Sequence, residues 1–172
     1  MKLKPSKCKL FQRRVKFLGH LVSEAGIEAD PERCACVTSW TLPRTVSELR
    51  SFLGLTNYYW SFCPGYAQIS GPLTEMLCRN EPIEWTERRL QAFNELKDFL
   101  VKPPTLTIIR DDGDLVLDVD ASLTSCGAVL QQRQNGVLRV IEFASRTFNR
   151  TERNYCVTRT RNDGTTFRPT PV

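Results

Sequence analysis

Apolar residues along this chain follow two periods, and the change from one to the other falls near Pro103 and Pro104. In 11–27, "FQRRVKFLGHLVSEAGI", Val15, Phe17 and Leu21 recur at even spacing around Gly19, and Val22 breaks the alternation before Ala25 and Gly26. That pattern predicts a short strand or hairpin. Helical signals follow. Asp30 and Pro31 form a cap and first-turn pair, opening a helix through Val37 toward Trp40. Thr45-Val46-Ser47-Glu48 reads as a capping box, after which Leu49, Phe52, Leu53 and Thr56 keep helical spacing as far as Tyr59 or Trp60. Pro64-Gly65 ends that element. Gly71-Pro72 predicts the start of a short helix carrying Leu73, Met76 and Leu77. Thr86 caps another, with Leu90, Phe93, Leu96 (or Lys97) and Leu100 on one side, and the two prolines stop it.

Beyond the prolines the period becomes that of strands: "LTII", "LVLDVDA", "GAVLQQ" and "VLRVIEF". Asn135-Gly136 separates the last two and is a hairpin signal. The second half therefore reads as an antiparallel meander, and 159–172 shows no periodicity. Along "LVLDVDA", Leu115, Leu117 and Val119 share one face while Val116, Asp118 and Asp120 share the other. Two like charges on one strand face repel, and neither gains from burial. Such a pair is either a solvated strand end or a carboxylate aimed at a metal ion or a phosphodiester.

Composition narrows the classes. The 172 residues are 41% hydrophobic and 25% charged, the balance of a globular chain with one medium or two small domains. No apolar run approaches the roughly 18 residues of a membrane span, so no membrane partner is expected. The net charge of +5 is uneven, with Lys2, Lys4, Lys7, Lys9, Arg13, Arg14 and Lys16 all in the first sixteen residues. The cluster suits a polyanion such as nucleic acid, or is an ordinary solvated face. Seven cysteines, with no signal-peptide pattern, predict reduced thiols and an intracellular setting, cytoplasmic or nuclear. Cys34 and Cys36 have the wrong spacing for a zinc pair, and His20 is the only histidine.

Several strings carry a resemblance together. "VKFLGHLVSEAGIEADPERC", "SELRSFLGLTNYY", "PLTEML", "EWTERRLQAFNELKDFLVKPPTL" and "LDVDASLTSCGAVLQQ" resemble, in order and spacing, the Pol polyprotein of gypsy-class LTR retrotransposons. The resemblance implies an α+β chain in which a helical thumb and connection segment precedes an incomplete RNase H-like antiparallel meander. It divides into the end of the reverse-transcriptase palm (1–27), thumb and connection helices (28–103), the first part of the RNase H-like domain (104–158) and an aberrant tail (159–172).

By the same resemblance Phe17, Leu18, Gly19 and His20 look like the hairpin that supports the primer strand. Gly19 either permits close approach to a phosphate or is a turn glycine. Lys7, Lys9, Arg13 and Arg14 would add phosphate contacts, so an RNA–DNA or DNA duplex is the implied partner. Asp120 matches the first metal-binding aspartate of the family's RNase H site, where Mg2+ is the cofactor, whereas Asp118 matches no catalytic position. The polymerase Asp-Asp hairpin is missing, and Asp111-Asp112 reads as a polar turn. The glutamate expected on the next helix falls near Arg161, and Glu142 and Glu152 do not replace it by position. Trp60 stands where the family has arginine. The expectation is a truncated fragment of a polymerase and hybrid ribonuclease that no longer binds Mg2+ productively and is catalytically inactive. The alternatives are a non-catalytic nucleic-acid-binding module and a structural relic.

Overall fold

A computed structural model describes residues 8, 10–78 and 83–154. Lys7, Lys9, Arg161 and the 159–172 tail lie outside them. The first unit is a three-stranded antiparallel meander: β1 (Arg14–Phe17), β2 (His20–Ser23) and β3 (Gly26–Ala29). Leu18 and Gly19 (φ +46° and +73°) form the two-residue turn between β1 and β2, so Phe17 pairs with His20. The strand period is thus sustained through Ala29, beyond the hairpin that the alternation of apolar residues suggests.

Asp30 then caps α1 (Pro31–Thr38) by accepting from the Glu32 N–H at 3.1 Å. Its carboxylate also meets Lys16 Nζ at 3.2 Å, which fastens the helix to β1. In α2 (Val46–Tyr58) Thr45 Oγ1 accepts from the Glu48 N–H at 3.2 Å. The Glu48 carboxylate reaches back to the Arg44 N–H at 2.8 Å, one residue before the cap. A single 3-10 turn (Trp60–Phe62) follows, and Trp60 packs against the helical core.

α3 runs from Tyr66 to Cys78, with Pro72 inside it, and so begins a turn earlier than the Gly71-Pro72 signal suggests. A mid-helix proline forfeits a hydrogen bond and crowds the carbonyl four residues back. Tertiary packing offsets that cost here: Tyr66, Leu73 and Met76 are buried, and Tyr66 Oη lies 2.9 Å from Thr56 Oγ1. α4 (Glu87–Val101) buries Ala92, Phe93, Leu96 and Leu100, whereas Leu90, expected on that side, is 40% exposed. Val37, Leu49, Phe52, Tyr59, Leu73, Leu96 and Leu100 form the fully buried centre of the core.

The "LTII" run, expected as a strand, is not one. Only Leu106 pairs, in an isolated antiparallel bridge with Ile27 closed by hydrogen bonds of 2.7 and 2.9 Å. The Thr107 N–H then donates to the Val140 carbonyl at 2.7 Å, which ties this segment to the second sheet, and the residues after it are held by side chains. Gln132 is buried, and its amide bonds the Arg110 N–H (2.9 Å) and the Arg110 and Asp112 carbonyls (2.8 and 2.9 Å), while Gln134 bonds the Ile108 carbonyl at 3.0 Å. With those groups satisfied by amides, no ladder forms there.

The second sheet is the expected meander: β4 (Leu115–Ala121), β5 (Ser125–Gln134) and β6 (Val137–Thr147), in that order. Asn135 and Gly136 take left-handed φ values (+52° and +80°) at the hairpin. Val140 and Phe143 on β6 pack against the helical core, and the Ala67 N–H donates to Ser145 Oγ at 2.9 Å. On the other face Leu115 and Leu117 are 54% and 53% exposed.

Candidate nucleic-acid interface

The β1–β2 tip has an outer and an inner side. Phe17 and Leu18 lie outside, 62% and 73% exposed. Inside, the turn is tied to the end of α2: Tyr58 Oη donates to the Leu18 carbonyl and Tyr59 Oη to the Gly19 carbonyl (3.0 Å). At Gly19 a Cβ would come within 3.0 Å of both Arg33 Nη1 and Tyr58 Oη. Glycine is needed there for its left-handed φ and for the close approach of these side chains.

His20 faces inward. Its ring stacks on Tyr58 (5.2 Å) and Phe62 (5.6 Å) and meets Tyr59 edge-on (5.7 Å). Its Nδ1 is buried and has no hydrogen-bond partner among the described residues. Burial, with the Arg33 charge adding to it, holds the imidazole below the usual histidine range, so the ring is neutral at pH 7. Burial likewise pushes the Tyr59 phenol up to about 12. The pair props the turn from within, and the exposed surface is left to Phe17 and Leu18.

Cations surround the tip unequally. Arg13 is exposed, and the Arg33 guanidinium lies over the Tyr58 ring at 5.5 Å. Arg14 is committed to an ion pair with Glu28. Lys16 contacts both Glu32 (2.6 Å) and Asp30 (3.2 Å), and its bond to Glu32, ahead of that to Asp30, raises its pKa. Arg33, Tyr58 and Tyr59 are site residues that sequence reasoning missed. Only the tyrosine doublet gave a local signal, a pair of aromatics at a helix end.

Asp118 and Asp120 share the β4 face that looks toward the start of α3, along a groove of about 280 Å³ bordered by Pro64, Gly65, Gln68 and Phe143. Asp118 accepts from Gln131 Nε2 at 2.7 Å. Glu142 is opposite Leu130, which is opposite Leu117, so it lies on the other face, where burial raises its pKa. Glu152 accepts from the Asn149 N–H and from Arg146, at 2.8 and 2.9 Å. Mg2+ needs several oxygens in octahedral array. Among the described residues no three His, Cys, Asp or Glu side chains gather to hold a metal ion.

Residues 85–161 match the family model described as an RNase H-like domain found in reverse transcriptase. The retrovirus-related Pol polyprotein from transposon 297 of Drosophila melanogaster is 38% identical over 156 residues, covering 90% of this chain and 14% of the relative. That from transposon 412 of the same organism is 34% identical over 92% of this chain and 13% of the relative. The Tf2-3 transposon polyprotein of Schizosaccharomyces pombe is 36% identical over 76% of this chain and 10% of its own length. The chain thus spans about a seventh or less of these curated relatives.

Among solved structures, the foamy viral protease-reverse transcriptase in complex with RNA/DNA hybrid superposes with a TM-score of 0.80 at 26% identity, over 94% of this chain and 22% of that one. The same foamy viral enzyme in complex with dsDNA gives a TM-score of 0.75 at 27% identity, over 86% of this chain and 31% of that one. In sequence and in its mixed helices and antiparallel sheets, the chain is similar to part of the retrotransposon Pol polyproteins and of the foamy viral enzyme, and its residues 85–161 match the RNase H-like domain found in reverse transcriptase.

Proposed function

We propose that this chain is a segment of a gypsy-class reverse transcriptase that holds the primer strand of an RNA–DNA or DNA duplex. In this reading 1–27 end the palm in a primer-supporting hairpin, 28–103 are thumb and connection helices, and 104–158 open the RNase H-like domain. One observation carries the proposal: two exposed apolar side chains, Phe17 and Leu18, stand on a turn whose carbonyls are fixed by Tyr58 and Tyr59. Apolar side chains suit sugar and base faces, and the flanking Arg13 and Arg33 suit phosphates. A turn held in place beforehand loses little conformational freedom on meeting a strand. Lys7 and Lys9 would add to the electrostatic attraction. The foamy viral relatives solved on RNA/DNA hybrid and on dsDNA support the same partner class.

In this reading the role is to position a duplex rather than to cut it: among the described residues Asp118 is the one other carboxylate bordering the groove with Asp120. Titration of a fluorescent RNA–DNA hybrid with the chain and with a Phe17→Ser/Leu18→Ser variant tests the reading. The variant is expected to bind at least about fivefold more weakly, a loss of about 1 kcal/mol. Affinity for both should fall as salt rises, because counterions are released. Equal affinity of the two proteins would contradict the proposal.

A further inference from the structure

His20 sits where a proton can act on the hairpin tip. Its ring fills a box between the β1–β2 turn and the end of α2, stacked on Tyr58 and Phe62 with Tyr59 edge-on. Its Nδ1 is shut off from solvent. A phenylalanine would fill the same box and never titrate. His20 is also the chain's only histidine, and holding a duplex makes no use of its proton. Two hydroxyls complete the closure, Tyr58 donating to the Leu18 carbonyl and Tyr59 to the Gly19 carbonyl. The turn they hold is not one the backbone adopts freely. Leu18 has φ +46°, where L side chains are rarely found. The closed tip therefore depends on its contacts with α2.

The surroundings oppose a charged ring. Burial is the larger cause, and the Arg33 guanidinium of α1, 5.5 Å from the Tyr58 ring centroid, adds repulsion. From α2 and the 3-10 turn the ring meets Tyr58, Tyr59 and Phe62, which offer aromatic faces rather than carboxylates. The Tyr59 phenol and the Cys34 thiol, both pushed up by burial, stay neutral in acid. Within the sheet His20 is opposite Phe17 and Ala29. Asp30, which follows Ala29, is engaged by Lys16 Nζ and the Glu32 N–H. Aromatic faces attract a cation, yet burial and Arg33 outweigh that attraction and hold the imidazole below its ordinary value of 6.5.

We propose that protonation of His20 releases the β1–β2 tip from the end of α2, so that in acid the chain lets go of the strand it holds. The release stands on the tip's own contacts, and the loss of the strand rests on the function proposed above. Linkage sets the direction. The closed tip is whole above about pH 6.5 and is lost as pH falls through the lowered value. Every tenfold by which the closed tip disfavours the proton becomes a tenfold rise in the open population once the ring is charged.

The single histidine makes the test direct. The free full chain, isotope-labelled, is titrated by NMR from about pH 8 to about pH 5. Expected is one imidazole transition with its midpoint below 6.5. The Leu18 and Gly19 amides and the Tyr58 and Tyr59 rings should change with the same midpoint, and the Val129 amide of β5 should not. In His20→Phe that step at the tip should vanish. A midpoint at or above 6.5, a ring that titrates while the tip signals stay fixed, or the same tip step in His20→Phe would each overturn the proposal. So would a tip that changes only when Val129 does, since the transition would then be unfolding of the whole chain. A second arm measures affinity for a labelled RNA–DNA hybrid on both sides of the midpoint. The parent chain should lose at least about fivefold relative to His20→Phe on crossing it. Equal loss in both proteins would overturn the control of binding. Absence of hybrid binding at neutral pH would instead contradict the duplex-holding function, and the release would still be decided by the free-chain titration.

Discussion

Gly26 offers the sharpest test of how the two sheets are joined. It begins β3 with φ +137°, a left-handed conformation that L side chains rarely adopt. A Cβ built there would stand 2.2 Å from the Leu106 carbonyl oxygen. Ordinary contact needs well over 3 Å, so Gly26→Ala must push the two backbones apart by about 1 Å or more. The bridge it would break is the pair of hydrogen bonds between Ile27 and Leu106. Two such bonds are worth about 1 kcal/mol each, and the backbone strain adds about 1–3 kcal/mol. The expected loss is therefore about 3–5 kcal/mol, a large part of the roughly 5–15 kcal/mol that holds a domain together. Urea unfolding followed by tryptophan fluorescence and circular dichroism measures it. At a slope near 2 kcal/mol/M the midpoint should fall by about 1.5–2.5 M. Gly54 supplies the contrast: it lies within α2, and a Cβ there meets nothing within 4 Å. Gly54→Ala should stabilise by about 0.5–1 kcal/mol. A loss below about 1 kcal/mol at Gly26 would refute the idea that this close approach joins the sheets.

Three further outcomes follow from other parts of the structure. Gln132→Ala leaves the Arg110 and Asp112 backbone groups without their amide partner and should cost about 2–3 kcal/mol in the same assay, with faster proteolysis at 108–114. His20 titrates below its ordinary value of 6.5 because the folded chain buries it neutral, so the unfolded chain binds more protons between its folded and unfolded pKa. The His20 contribution is thus whole above about pH 6.5 and lost as pH falls through the lowered folded pKa, and His20→Phe should flatten that acid limb in pH-dependent unfolding. Incubation with RNA–DNA hybrid and Mg2+ or Mn2+ should yield no cleavage, and metal-dependent turnover that disappeared in Asp120→Asn would show that another chain completes the site.

What could be read from the sequence was what is local. Asp30-Pro31, Thr45 to Glu48 and Asn135-Gly136 act through neighbours in the chain, and each appears where expected. The misplaced elements are those decided at long range. α3 starts at Tyr66 because a buried tyrosine pairs with Thr56, which outweighs a proline further along. The run at 106–109 forms no ladder: Leu106 and Thr107 bond Ile27 and Val140, and beyond them the Ile108 carbonyl and the Arg110 N–H are taken up by the amides of Gln134 and Gln132, more than twenty residues away. At the hairpin tip Phe17 and Leu18 were legible as candidates, but the tyrosines that hold their turn come from forty residues later. No periodicity reports that contact. Asp118 and Asp120 sharing one face was legible from alternation alone. That Asp118 is engaged by Gln131 required the register of β4 on β5.

The central claim is that the β1–β2 tip meets the primer strand, and photo-crosslinking tests it most directly. A benzophenone amino acid would replace Leu18, which is 73% exposed on the turn, and in a second protein Leu90, which is 40% exposed on α4. Each would be irradiated with an RNA–DNA hybrid whose strands carry different labels. The expected result is a crosslink from position 18 to the DNA primer strand, competed away by unlabelled hybrid and weakened by salt, with little product from position 90. Equal yields from both positions, or a crosslink from position 18 only to the template strand, would contradict the account.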